Sequence, residues 1–226
     1  MIALRRIDKS FGDKKVLDGL SLEVKDGESV AMLGASGSGK SVTLKLILGL
    51  EKPDSGEIEC GEKKIGMLFQ NAALFDSMTV WENVAFSLVN NMHMNADEAR
   101  RTALQKLADV GLGPEAADLM PSELSGGMKK RVGLARAIAD DPKILLFDEP
   151  TTGLDPIMSK VINDLILKVV RELHATALTI THDIASAKTI ANRIVVLNGG
   201  KITWSGKPAE LEHTDNRYVR EFLGKK

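Results

Sequence analysis

Gly34-Ala35-Ser36-Gly37-Ser38-Gly39-Lys40-Ser41 is the stretch on which the fold turns. It fits G-x-x-x-x-G-K-[ST], the spacing of a loop that cradles phosphates. Glycines let successive backbone amides point inward and wrap an anion. A helix opening behind them adds a partial positive charge at its N-terminus. In that frame Lys40 reaches the outer phosphates and the Ser41 hydroxyl binds Mg²⁺. Val42 follows in the first helical turn and counts with the same binding segment. The flanks agree. Residues 29–33 read as a buried strand running into the glycines, and a helix is expected over 40–50, ending near Pro53.

Working outward, Leu20, Leu22 and Val24 alternate with polar residues, as in a half-buried strand. The opening reads as short strands, with Asp13-Lys14-Lys15 as a turn. Residues 65–69 predict another strand. From 79 to 110 the pattern is helical, with Ala99, Ala103, Leu104 and Leu107 on one face. Gly111, Gly113 and Pro114 break it. A further helix is expected over 126–139, then a strand over 143–147. Met158, Val161, Ile162, Leu165 and Val169 mark an amphipathic helix. Residues 177–181 and 194–197 are strands, and a Gly199-Gly200 turn leads into a last hairpin. Strands alternating with helices give an α/β fold around a parallel core, with a helical block inserted between about 71 and 140.

A chain of 226 residues suits one such domain, and 43% hydrophobic residues supply its core. Aromatics are only 4% and the formal net charge is -1, which argues against a nucleic-acid partner. The basic run Lys129-Lys130-Arg131 reads as the solvated face of a helix. Cys60 is the one cysteine, so no disulfide can form within the chain, and it reads as structural. No stretch reaches the roughly 18 apolar residues of a membrane span, and residues 1–8 lack a signal-peptide core. A cytoplasmic location is expected. His93, His174 and His213 have no chemical context and read as surface residues.

Ile144-Leu145-Leu146-Phe147-Asp148-Glu149 is a buried strand ending in two acids. At a strand tip Asp148 can join the water shell of a metal. Glu149 can polarise a water for in-line attack on a γ-phosphate.

Leu124-Ser125-Gly126-Gly127-Met128 precedes the helix at 126. Two glycines at a helix start expose amides to an anion, and Ser125 can add a hydroxyl. With the cradle and the acid pair in this order, the chain resembles the ATP-binding cassette (ABC) superfamily from about residue 4 to 206. The resemblance implies a P-loop NTPase core with a mixed sheet and an N-terminal antiparallel β subdomain. It also implies an inserted helical subdomain: 1–70 and 141–226 form the core, and 71–140 carry the signature. ATP and Mg²⁺ are the cofactors it implies, and ATP hydrolysis the reaction.

Further matches follow from the same resemblance. Gln70 falls in the loop that touches Mg²⁺ and senses a transmembrane partner. Gly153-Leu154-Asp155 matches the family's D-loop, and Thr181-His182-Asp183 the switch histidine, expected to contact the γ-phosphate. Phe11 falls where the family stacks an aromatic on adenine, with Val16 flanking the ring. A core role is the other reading of Phe11. Met128 departs from the usual glutamine, and Phe11 from the usual tyrosine. The signature segment Ser125-Gly126-Gly127 would act in trans, so a second copy of the chain is an implied partner. Phe75, Met78, Trp81 and Phe86 would form a groove for a permease helix, or else a plain subdomain core. The chain would then sit on the inner face of the plasma membrane.

Residues 68–80, then Glu82-Asn83-Val84, and 124–132 look like the ATPases of MCE-linked lipid transport systems. That resemblance implies phospholipid cargo in a Gram-negative envelope, a permease dimer, an MCE substrate-binding protein and a small accessory subunit. The rival within transporters is an importer of amino acids or another small solute. A DNA-repair or translation ATPase would carry two cassettes or a long coiled-coil insertion. A small-molecule kinase would leave 124–128 unexplained.

Overall fold

The structure, a computed structural model, describes residues 1–61 and 64–224. In chain order the first elements are β1 (Ile2–Phe11), β2 (Lys14–Val24), β3 (Ser29–Leu33), α1 (Lys40–Ile47), β4 (Ser55–Cys60) and β5 (Ile65–Leu68). Helices α2 (Val80–Asn90), α3 (Ala96–Asp109) and α4 (Gly126–Ala137) follow. Then come β6 (Ile144–Asp148), α5 (Pro156–Leu173), β7 (Thr176–Thr181), α6 (Ile184–Ile190), β8 (Arg193–Asn198), β9 (Lys201–Gly206) and α7 (Arg217–Phe222). They group into two compact units, Met1–Lys63 with His174–Lys226, and Lys64–Leu173.

The first unit holds a three-stranded antiparallel sheet in the order β2-β1-β4. It also holds a mixed sheet, with β7, β3 and β8 parallel and β9 antiparallel to β8. Every residue of β3 and β7 is buried, as expected for strands covered on both faces. One face of this sheet sends Ala31, Leu33, Ile194 and Val196 into a core closed by Ala187, Leu211 and Val219. A partly buried pair, Arg193 and Glu28, joins β8 to the loop before β3 through a bond of 2.6 Å.

The second unit pairs β5 with β6 in parallel and packs helices around them. Thr79 and Glu82 form a capping box at the start of α2. The Asn95 side chain caps α3 by accepting from the Glu98 amide at 3.0 Å. Helix α4 lies close on β5: a Cβ at Gly133 would meet Leu68 Cδ1 at 2.8 Å.

Three expectations need correction. The helical pattern over 79–110 is two helices, because Asn95 supplies a new N-cap and the backbone leaves the helix at 91–95. The opening is two long strands rather than short ones, and their turn is Gly12-Asp13, where Gly12 takes φ 57. The helical block expected over 71–140 lies within the second unit. Its compact unit runs from 64 to 173, because α4 needs β5 as a packing surface and β5 needs β6. Finally, Lys130 is buried, so the basic run is not a solvated face.

Candidate active site

The cradle is built almost wholly from backbone. Gly37 and Gly39 take φ 76 and 107, a region that side chains strongly disfavour. Gly34 has an ordinary φ but no room: a Cβ would sit 2.6 Å from the Leu197 carbonyl. A Cβ at Gly39 would likewise meet Leu17 at 2.7 Å and the Val16 carbonyl at 3.2 Å. Val16 therefore borders the cradle from β2, where the sequence expects an adenine neighbour. Lys40 is only 7% exposed, and its ammonium donates to the Gly34 carbonyl at 2.7 Å and the Ala35 carbonyl at 3.1 Å. Ala35, Ser36, Gly37 and Ser41 are exposed, whereas Ser38 and Val42 are half-buried. The loop thus presents backbone and hydroxyl groups outward at the N-terminus of α1, a ready anion site.

Phe11 is 46% exposed at the end of β1, with the Lys9 ammonium 5.1 Å from its ring centroid. Exposure of that size rules out the core reading. His182 lies exposed just past the buried strand β7. Asp183 fixes the next turn, accepting from the Ala185 amide at 2.9 Å and the Ser186 hydroxyl at 2.6 Å.

The second unit carries the other expected residues. Gln70 is exposed in the loop after β5. Ser125 caps α4, its hydroxyl oxygen accepting from the Met128 amide at 3.3 Å, which leaves its O–H to donate elsewhere. Gly127 is forced by contact, since a Cβ there would meet Met158 Cε at 2.5 Å. Asp155 opens α5 by accepting from the Met158 amide at 2.9 Å. Asp148 and Glu149 end β6 half-buried. Glu149 takes φ 47, rare for a residue with a side chain, and its carboxylate accepts from the Thr152 hydroxyl at 3.0 Å.

Three supports escaped the sequence reading. Lys130 is 5% exposed and donates to the backbone carbonyls of Gln70 and, at 3.1 Å, of Glu149. Burial lowers its pKa, and the charges of Asp148 and Glu149 pull it back up. Arg136 donates to the Ala72 carbonyl and, at 2.8 Å, to that of Ala73, two residues at φ 58 and 48. Asn83 is fully buried and ties off the turn before α2. Its amide donates to the Phe75, Met78 and Thr79 carbonyls at 3.0–3.1 Å, and its oxygen accepts from the Phe75 amide at 2.7 Å. That turn presents Phe75, 4.7 Å from the Phe86 ring. Helical spacing was the available signal for Lys130: it shares a stripe with Gly127, Leu134 and Ala137, all buried.

Residues 17–152 match the family model described as ABC transporter. The chain belongs to the ABC transporter family, as an ATP-binding subunit. It is 40% identical over 98% of its length to protein TRIGALACTOSYLDIACYLGLYCEROL 3, chloroplastic, of Arabidopsis thaliana, covering 73% of that protein. It is 39% identical over 99% of its length to the probable amino-acid import ATP-binding protein YxeO of Bacillus subtilis, covering 96% of it. Among solved structures it resembles the dimeric ATP-binding cassette MJ0796 in a post-hydrolysis state bound to ADP and Pi. The TM-score is 0.84 at 33% identity, over 92% of this chain and 99% of that one. The ABC cassette subunit is thus an ATPase, its hydrolysis coupled to transport. No described helix is long and apolar enough to cross a membrane.

The donor set fits the cofactors. Glycine amides with no room for side chains suit a polyphosphate. The Ser41 hydroxyl in the first unit, and the Asp148 carboxylate and Gln70 amide in the second, are each hard oxygen donors of the kind Mg²⁺ takes. Among the described residues no cluster of three or more His, Cys, Asp or Glu could hold a metal unaided.

Proposed function

We propose that this ATPase works as one half of a nucleotide-sandwich pair and powers phospholipid transport between the membranes of a Gram-negative envelope. Lys40 and the amides of Gly34 to Ser41 hold the ATP phosphates, with Val42 behind them. Phe11 stacks on the adenine and Val16 flanks it. Ser41, Asp148 and Gln70 would hold Mg²⁺, which would supply positive charge beside the phosphates. Glu149 polarises the attacking water, with Thr152 fixing its carboxylate. His182 contacts the γ-phosphate. Ser125, Gly126, Gly127 and Asp155 cover the nucleotide held by a second copy.

The observation that carries the reading is the pair of glycine-built helix starts, one at Lys40 and one at Gly126. Each chain has one cradle and one signature segment, so two copies complete two sites. The solved dimer of MJ0796 with its hydrolysis products supports that arrangement. ATP bridges the halves through its γ-phosphate, and hydrolysis removes the bridge, which gives the two states different affinities. Phe75, Met78, Trp81 and Phe86 form a groove for a permease helix, with the subunit on the inner face of the membrane. An MCE substrate-binding protein and a small accessory subunit complete the complex.

Lipid as cargo is supported by the segments 68–84 and 124–132, and by a relative whose name is that of a galactolipid. The name of the amino-acid import relative favours a small-solute importer as the second reading. Lipid analysis of the complex purified with its permease separates them. Phospholipid bound in stoichiometric amounts supports the first. Lipid-free complex whose ATPase is stimulated by an amino-acid binding protein supports the second.

A further inference from the structure

We infer that Lys130 is a positioning residue, an ammonium on the signature helix that sets the backbone of the Gln70 loop and of Glu149 together. The inference rests on the proposed roles of Gln70 and Glu149.

Its Nζ donates to both carbonyls, although Gln70 and Glu149 lie 79 residues apart in the chain. Lys130 sits about one turn into α4, whose first residues are the signature glycines. A single cation therefore joins three segments: the signature helix, the loop after β5 and the end of β6.

One of the two carbonyls belongs to a strained residue, and the other lies just before a strained pair. Glu149 itself is left-handed at φ 47, and Ala72 and Ala73 just after Gln70 are at φ 58 and 48. Such conformations persist only where surrounding contacts hold them. Arg136, 1.5 turns or so further along α4, accounts for the Ala72 and Ala73 carbonyls. Lys130 accounts for Gln70 and Glu149. The strained peptides on both sides of the chemistry are thus bonded to one helix.

A buried ammonium is costly unless compensated. Here two carbonyl dipoles and the charges of Asp148 and Glu149 compensate it. An apolar side chain of the same length would fill the space without holding either carbonyl. Lys130 touches neither the nucleotide nor water in this account; it aims the groups that do.

The test compares Lys130→Met and Lys130→Gln with the wild-type chain and with Lys160→Met on the exposed face of α5. Hydrogen exchange is read on the nucleotide-free protein, and ATP affinity and turnover are read separately. In Lys130→Met, exchange at 69–74 and 149–152 should quicken by about tenfold, as expected when a local contact is lost, with 34–41 unchanged. Its kcat should fall by about tenfold or more while ATP affinity stays within about twofold, since a transition-state contact is lost and a binding one is not. Lys130→Gln keeps an N–H donor and should recover much of both losses. Lys160→Met should match wild type. Wild-type exchange and kcat in Lys130→Met would overturn the inference. So would loss of protection spread evenly over 64–173 with no rescue by glutamine, which is a merely structural role. Normal hydrolysis by Glu149→Gln would sink the assignment of the base instead, and the exchange readout distinguishes the two failures.

Discussion

The loop at 34–41 and the strand end at 148–152 both follow short buried strands, yet they are held in different ways. The cradle is held by absence. Gly34, Gly37 and Gly39 are shaped by missing side chains, and Lys40 merely folds over their carbonyls. The acid end is held by presence. Glu149 keeps a left-handed backbone because Lys130 takes its carbonyl and Thr152 takes its carboxylate. A loop built from amides tolerates few residue types at fixed positions. A strand end held by distant cations can be built in many ways. The first kind of site fails by steric intrusion, the second by loss of an anchor.

The sharpest way to break this contrast is Glu149→Gln. It should keep ATP binding and lower turnover by roughly a hundredfold or more, the scale of a lost general base. Measured turnover near wild type would show that Glu149 is not the base. Lys40→Ala comes next. It removes the ammonium proposed to hold the phosphates, so ATP affinity should fall by at least about tenfold, as for a lost charge-assisted contact. Isothermal titration checks it, and unchanged affinity would mean the amides alone suffice.

Smaller effects sharpen the two modes of support. Gly34→Ala pushes a Cβ to within 2.6 Å of a backbone carbonyl, which should cost about 1–3 kcal/mol in urea unfolding. Arg136→Met removes two bonds to the Ala72 and Ala73 carbonyls and should destabilise by about 2 kcal/mol, without the steric signature. If both variants are as stable as wild type, neither support matters to the fold.

The smallest expected effect is at the Arg193–Glu28 pair. Burial pushes the Glu28 carboxyl up, but the Arg193 guanidinium and the Lys25 amide and charge together outweigh it, and the net direction is down. A carboxylate with a lowered pKa in the folded state stabilises above its unfolded value and loses that contribution as pH falls. Glu28→Gln should therefore melt below wild type at pH 7. The gap should close as pH drops through the usual carboxylate range. A gap independent of pH would mean that packing, not charge, accounts for the loss.

The same contrast explains how much was legible in the sequence. The cradle, the signature glycines and the acid pair print themselves locally, because each needs particular residues at particular spacing. So does the strand-helix alternation. Long-range anchors print faintly. Lys130 carries a polar name, and its neighbours Lys129 and Arg131 disguise it as part of a charged face, although its helical stripe is buried. Asn83 looks like any polar residue in a helix, yet four bonds to the preceding turn make it the fastening of the Phe75 loop. The break at 91–95 was missed for a related reason. Asn95 as an N-cap ends one apolar pattern and starts another in nearly the same register. The unit boundary at 64 and 173 depends on α4 packing on β5, a contact no local pattern reveals.

The central claim is that ATP joins two copies of this chain. Light scattering on Glu149→Gln, with and without Mg²⁺ and ATP, tests it most directly. The account predicts a particle of 24.5 kDa without nucleotide and twice that mass with it, reversed when ATP is removed. A particle that stays at 24.5 kDa with ATP bound, or one that is already paired without it, would contradict the claim.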